Sequence, residues 1–164
     1  MRRAAALATV AAFTTWIGSA RATDQNSFNT RCATCHQQNA RGLPGIYPPL
    51  ADSLGNELRS KHGRLYLIHV VLNGMAGSIE INGTTYAGLM PEFASLSDDE
   101  IAATLNQVLT KFNAEALPKD FTPITAVEVH AARARKIPSA RMPNERKSLM
   151  EELQKARAPD GVAH

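Results

Sequence analysis

The stretch Cys32-Ala33-Thr34-Cys35-His36 constrains this chain more than any other. Two cysteines separated by two residues, with histidine directly after, form the pattern used to attach a c-type haem. The spacing suits that chemistry. Cys32 and Cys35 stand one helical turn apart, so each thiol can form a thioether with one haem vinyl group. His36 then lies beside the ring and can offer an imidazole nitrogen to the iron. The chain holds no other cysteine, so none is left for a structural disulfide. Two other readings fit a bare Cys-x-x-Cys. One is a redox dithiol. The other is half of a zinc site, but zinc takes four ligands and no second Cys or His pair stands nearby at ligand spacing. The histidine after Cys35 favours haem over both.

The N-terminus agrees with that reading. Arg2 and Arg3 precede a short apolar run from Ala4 to Ile17, and Ala20-Arg21-Ala22 has the small-x-small form of a cleavage site. Residues 1–22 therefore read as a secretory signal peptide cut after Ala22. The alternative is an uncleaved anchor, but the run is shorter than the about 20 residues that a span needs. Haem is attached to such motifs outside the cytoplasm, and a signal of this kind points to a periplasm. No later run is long and apolar enough to cross a membrane.

Arg2, Arg3 and Arg21 account for the whole formal charge of +3, so the chain after residue 22 is balanced. The balance is uneven: residues 23–113 hold 6 basic and 8 acidic side chains, residues 114–164 hold 9 and 7. No basic stripe interleaved with aromatics appears, which argues against a nucleic-acid partner. Aromatics make up only 5% of the sequence. A large flat cofactor can supply the apolar surface that such a chain lacks.

Along the mature chain, Asp24 to Thr34 reads as an opening helix, with Phe28 and Cys32 on one face. Residues 37–55 form a loop broken by Gly42, Pro44, Gly45, Pro48, Pro49 and Gly55. A ligating histidine usually donates its second ring nitrogen to a carbonyl, and Pro48 is the candidate carbonyl here. Alternatively, Pro48-Pro49 only stiffens the loop. Leu65 to Leu72 reads as a buried helix stopped at Asn73-Gly74, with strand left open by its β-branched content. His69 inside it reads as a packed, hydrogen-bonded residue rather than a ligand. Ile79 to Met90 is extended, with a turn signal at Asn82-Gly83. Met90 follows this glycine-rich stretch and Pro91 fixes the chain after it, which makes Met90 the candidate thioether ligand, with Met75 as fallback. Leu96 to Phe112 is a helix with Ser97 and Glu100 as a capping box and an apolar face through Ile101, Leu105, Val108, Leu109 and Phe112. That face should pack on the opening helix.

These segments in order, Cys32-Ala-Thr-Cys35-His36, Gly42-Leu-Pro-Gly, Tyr47-Pro-Pro-Leu50, Asn82-Gly83 to Tyr86, Met90-Pro-Glu-Phe and Leu96-Ser-Asp-Asp-Glu-Ile-Ala, resemble class I monohaem cytochromes c. The likeness covers residues 24–113 and is greatest to cytochrome subunits that accompany periplasmic dehydrogenases of the quinoprotein type, and to some terminal oxidases. It implies an all-α, cytochrome c-like haem domain with crossing N- and C-terminal helices, here followed by a helical C-terminal extension. It implies one covalent haem c on Cys32 and Cys35, His36 and Met90 as axial iron ligands, and the Pro48 carbonyl as partner of His36. Tyr86 and Tyr47 would lie near the haem or its propionates. The domain layout is then a signal peptide (1–22), a cytochrome domain (23–113) and a charged extension (114–164).

The extension departs from the family. It shows a linker with Pro118 and Pro123, a helix-like stretch from Thr125 to Lys136, a break at Pro138 and Pro143, and a final helix from Glu145 to Ala158 capped by Asn144. Such an arm either docks on a partner or drapes over its own domain. The expected function is electron transfer to and from redox proteins such as a periplasmic dehydrogenase or terminal oxidase. The chain itself is then no enzyme, because both axial positions are filled. The alternative is a haem enzyme or gas sensor with a displaceable sixth ligand, for which the sequence offers no distal acid–base set.

Overall fold

A computed structural model describes residues 27–158. The signal peptide assigned to residues 1–22 lies outside the described residues. The element order is a π-helical turn Phe28–Cys32, α1 Ala33–His36, a 3-10 turn Glu57–Arg59, α2 Lys61–Asn73, β1 Met75–Ile81, β2 Thr84–Met90, α3 Asp98–Phe112, a 3-10 turn Ala114–Ala116, α4 Ala126–Ala132, a 3-10 turn Ser139–Arg141 and α5 Met142–Arg157. The fold is mostly helical, as expected, with one addition. The extended stretch before Met90 pairs with residues from Met75 onward as an antiparallel hairpin turning at Asn82-Gly83.

The opening helix differs from the expected α-helix. Asp24 to Asn26 lie outside the described residues; over Phe28–Cys32 the helix is a π turn, in which the Ala33 N–H reaches back to the Phe28 carbonyl. Phe28 and Ala33 are therefore both buried, while Cys32 is left half-buried. π turns of this kind collect at functional sites.

α3 is the central wall. Its capping box is present: Ser97 Oγ accepts from Glu100 N at 3.2 Å and the Glu100 carboxylate accepts from Ser97 N at 2.9 Å. Its apolar face buries Ile101, Leu105, Val108 and Leu109. At its end, Phe112 packs on Phe28 with ring centroids 5.1 Å apart, which brings the opening and closing helices together. α2 is a helix, buried through Tyr66, Leu67, Ile68, His69 and Leu72. Tertiary burial overrides the strand preference of its valines and isoleucine.

The extension lies on its own domain and shares its core. Ile124, Val129, Ala132, Ile137, Met142, Leu149 and Leu153 join Tyr66, Leu67, Ile68, Leu72, Met75, Leu96, Ile101, Leu105 and Leu109 in one hydrophobic cluster. Polar stitches fix the path. The Asn106 amide pairs with both backbone groups of Ile124, at 2.7 and 2.8 Å. The Arg64 guanidinium grips the Glu128 carboxylate and the Thr122 and Pro123 carbonyls. Arg133 does the same for Asp98, Ala94 and Leu96. Two helix boundaries move. α4 ends at Ala132, well short of Lys136. α5 starts at Met142, so Pro143 sits in its first turn and Asn144 lies inside the helix rather than capping it. Proline suits a first turn, where its missing N–H would have had no partner.

The pair Arg146–Glu57 is buried, at 2.7 Å with side chains 11% and 1% exposed. Removing the arginine strands a carboxylate in the interior. Arg146→Ala is therefore expected to cost about 3–5 kcal/mol. Replacing both partners by apolar residues of similar volume should cost much less. Urea unfolding of the two variants checks this.

His69 supplies a pH dependence. The Asn73 amide orientation is fixed because its Oδ1 accepts from Ile137 N at 3.3 Å. Its Nδ2 therefore donates, to His69 O at 3.0 Å and to His69 Nδ1 at 3.2 Å, so the ring is neutral. Burial, then the nearby Arg135, hold the imidazole below its usual protonation range, and Glu145 opposes them. His62 and Tyr66 line the same small space. The unfolded chain thus binds the proton more readily than the folded one. The associated stability is present above about pH 6.5 and declines as the pH falls below it. His69→Gln should unfold in urea with less loss between about pH 7.5 and about pH 5 than the wild type.

Candidate haem site

The site is built on the turn of α1. His36 is 8% exposed, and its Nδ1 lies 2.9 Å from the Pro48 carbonyl oxygen. A carbonyl only accepts, so Nδ1 carries the hydrogen and Nε2 keeps a lone pair. Burial pushes the imidazole below its ordinary protonation range, against the opposing pull of the Pro48 carbonyl. The ring is thus held neutral and oriented, the form that binds a metal.

The loop that presents Pro48 folds against the site through contacts the sequence does not reveal. Gly42 donates its N–H to the His36 carbonyl at 2.9 Å. Its φ is +64°, and a Cβ there would overlap the Tyr47 carbonyl and stand 2.6 Å from Pro48 O. Only glycine lets the backbone pass this close. Ala40 is fully buried with φ of +57°, and its carbonyl accepts from both Leu50 N and Ala51 N at 2.8 Å. Asn113, 1% exposed, locks the far side. Its Oδ1 accepts from Ser53 N and Leu54 N, and its Nδ2 donates to Leu50 O and Val108 O.

Cys32 and Cys35 form no disulfide, and both are partly exposed. Burial pushes the Cys32 thiol up to about 11, with Arg31 pulling the other way. A redox dithiol needs a thiol shifted down, so this environment speaks against thioredoxin-like chemistry. Among the described residues no group of three or more His, Cys, Asp or Glu side chains is placed to hold a metal ion. Phe28, Ala33, Ala40 and Val108 form an apolar wall beside the motif, and Leu50, Leu54 and Phe112 pack against it. Leu43, Ile46 and Tyr47 on the loop, and Leu89 beside Met90, are large apolar side chains left exposed. Two cysteines outside any disulfide, an imidazole with a free nitrogen, and an apolar cluster beside them fit a covalent haem.

Met90 ends β2, half-buried against the larger cluster, and faces Met75 across the hairpin. The two clusters meet at α3, which gives Val108 to one and Ile101, Leu105 and Leu109 to the other, and at Leu54, which packs against both. The root of the hairpin is fixed. Gly74 caps α2 with φ of +66°, and a Cβ on it would stand 2.5 Å from Met90 O and 2.9 Å from Glu92 N. Phe93 N donates to Val71 O at 2.9 Å. Tyr86 is buried opposite Ile79 in the hairpin. Tyr47 is 37% exposed and closes the loop by a backbone bridge to Leu43. His69 lies among the residues between α2 and the extension, bonded to Asn73, and not with the motif.

Gly42→Ala should force the Pro48 carbonyl away from His36. The expected cost is about 1–3 kcal/mol in urea unfolding. Faster exchange of the His36 Nδ1 proton in NMR spectra would report the loosened bond.

The cytochrome c family model matches residues 25–110. Cytochrome c-552 from Thermus thermophilus is 46% identical over 119 residues, which cover 73% of this chain and 91% of that protein. A second cytochrome c-552, from a named strain of Thermus thermophilus, is likewise 46% identical over 119 residues, covering 73% of this chain and 80% of its own length. A match of 119 residues cannot fit within the first 110, so the likeness runs into the extension. With the family matched across the whole motif-bearing domain, the chain belongs to the cytochrome c family and carries one covalent haem c on Cys32 and Cys35.

Proposed function

We propose that this electron carrier holds its iron between His36 Nε2 and the Met90 thioether, and works in the periplasm after cleavage near Ala22. The observation that carries the proposal is the bond from His36 Nδ1 to Pro48 O, which leaves Nε2 with the free lone pair on the residue directly after Cys35. The haem supplies one reversible electron. The chain does the rest. Cys32 and Cys35 tether the ring, the Pro48 carbonyl orients His36, and Gly74 fixes the backbone at Met90. A thioether opposite histidine raises the reduction potential. With His36 and Met90 both given to the iron, no ligand position would be left for a substrate, and the haem would exchange electrons with separate redox proteins. Tyr86, buried in the hairpin, packs near the ring. A dehydrogenase of the quinoprotein type and a terminal oxidase are the partner classes that the sequence resemblance supports.

The ferric protein is expected to give a low-spin c-type spectrum with the weak near-infrared band of thioether–iron ligation. The ferrous protein should show a strongly upfield methyl resonance, with Overhauser contacts that place it on Met90. High-spin iron would sink the carrier reading in favour of a haem enzyme or gas sensor. A methyl assigned to Met75 would move the ligand.

A further inference from the structure

We infer that the C-terminal extension is a positioning element for the axial methionine, gripping Met90 through β1; the inference rests on Met90 being the thioether ligand. β2, which ends in Met90, pairs only with β1 among the described residues. A two-stranded hairpin is marginal by itself, so whatever holds β1 holds Met90. The extension holds β1. The 3-10 turn Ser139–Arg141 and α5 both pack on that strand. A Cβ on Gly77 would meet the Pro143 ring at 3.2 Å, so ring and strand are in close contact. Met142, fully buried, sits in the cluster that contains Met75 and receives Met90.

The same segment grips the hairpin at its root. Ile137 N donates to Asn73 Oδ1 at 3.3 Å, and Asn73 is the last residue of α2. Gly74 follows, pressed against Met90 O. Met75 comes next, opposite Met90 in the strand register. Residues 137–143 therefore touch both the strand that carries Met90's partner and the helix end from which that strand leaves. Swinging Met90 away from the iron displaces β1, and β1 moves only if this segment lets go. Asn73 and Pro143 are the positioning residues. Leu153 is an arm residue with a different job. It lies ten residues further along α5, about 15 Å from Pro143, and is buried in the core.

The test measures how fast added cyanide replaces the thioether on the ferric, haem-loaded full chain. Asn73→Ala combined with Pro143→Ala should keep the covalent haem but exchange roughly tenfold faster, the equivalent of about 1.4 kcal/mol of lost restraint. Its near-infrared band should also weaken. Leu153→Ala, which lowers urea stability through an ordinary core cavity, should leave the exchange rate within about twofold of wild type. An unchanged rate in the Asn73/Pro143 variant overturns the inference while the His36/Met90 reading stands. Acceleration in both variants in proportion to their stability loss overturns it too, because the arm then acts only on global stability. A wild type without the near-infrared band refutes Met90 as ligand and the inference with it.

Discussion

The bond between His36 Nδ1 and the Pro48 carbonyl is the constraint around which the rest of the site is arranged. A hydrogen bond of this kind contributes only about 0.5–1.5 kcal/mol net. Its importance lies in direction. It selects one tautomer and one ring plane, the restriction that an iron ligand at His36 would need. A carbonyl can hold that direction only if its own backbone is immobile. The loop achieves this without regular structure. Gly42 ties it to the His36 carbonyl from one side, the Ala40 carbonyl collects two amides from the far end, and Asn113 satisfies four backbone groups that a loop would otherwise leave bare. Asp52 N donates to the last α3 residue, Phe112, at 3.0 Å. The loop is thus fastened to the two helices that frame the motif.

What can be read from the sequence follows the strength of local signals. The Cys32–His36 motif carries its chemistry in its spacing. α3 carries both a capping box and a clean apolar period, and its bounds in the structure agree with that pattern. The stop of α2 at Asn73-Gly74 is equally plain. The features that stay hidden depend on residues distant in sequence. Gly42 looks like any loop glycine until the Tyr47 and Pro48 carbonyls are brought against it. Asn113 looks like a helix end until residues 50–54 arrive. The π turn at Phe28 has no sequence signature of its own, since the burial of both Phe28 and Ala33 decides it. Pro143 reads as a breaker, although proline in a first turn begins helices as readily as it ends them.

Ion pairs cross between the haem domain and the extension in both directions. Arg133 of the extension meets Asp98, and Arg146 meets Glu57, while Glu128 and Glu152 of the extension meet Arg64 and His62. Arg64 holds the Glu128 carboxylate down at about 2, so that pair persists through ordinary acid conditions. Pairs as exposed as His62–Glu152 contribute little to stability in water. Their role is register: they choose which face of each short helix turns inward. The energy comes from the apolar side chains that then become buried, chiefly Val129, Met142 and Leu149, none of which is exposed at all.

That division of labour also accounts for the composition. A domain with so few aromatic residues has little with which to fill a core, and its interior is split into a small cluster at the motif and a large one beyond α3. The covalent haem adds apolar surface on the first side, and the extension adds it on the second. Neither addition can be removed without exposing what it covers. The hairpin that bears Met90 lies where the two demands meet, packed against the larger cluster while Leu89 beside Met90 remains exposed. A short strand in that position cannot be held by its own ladder of hydrogen bonds. It needs a support from outside the hairpin, and the 3-10 turn Ser139–Arg141 and Pro143 of α5 pack on it.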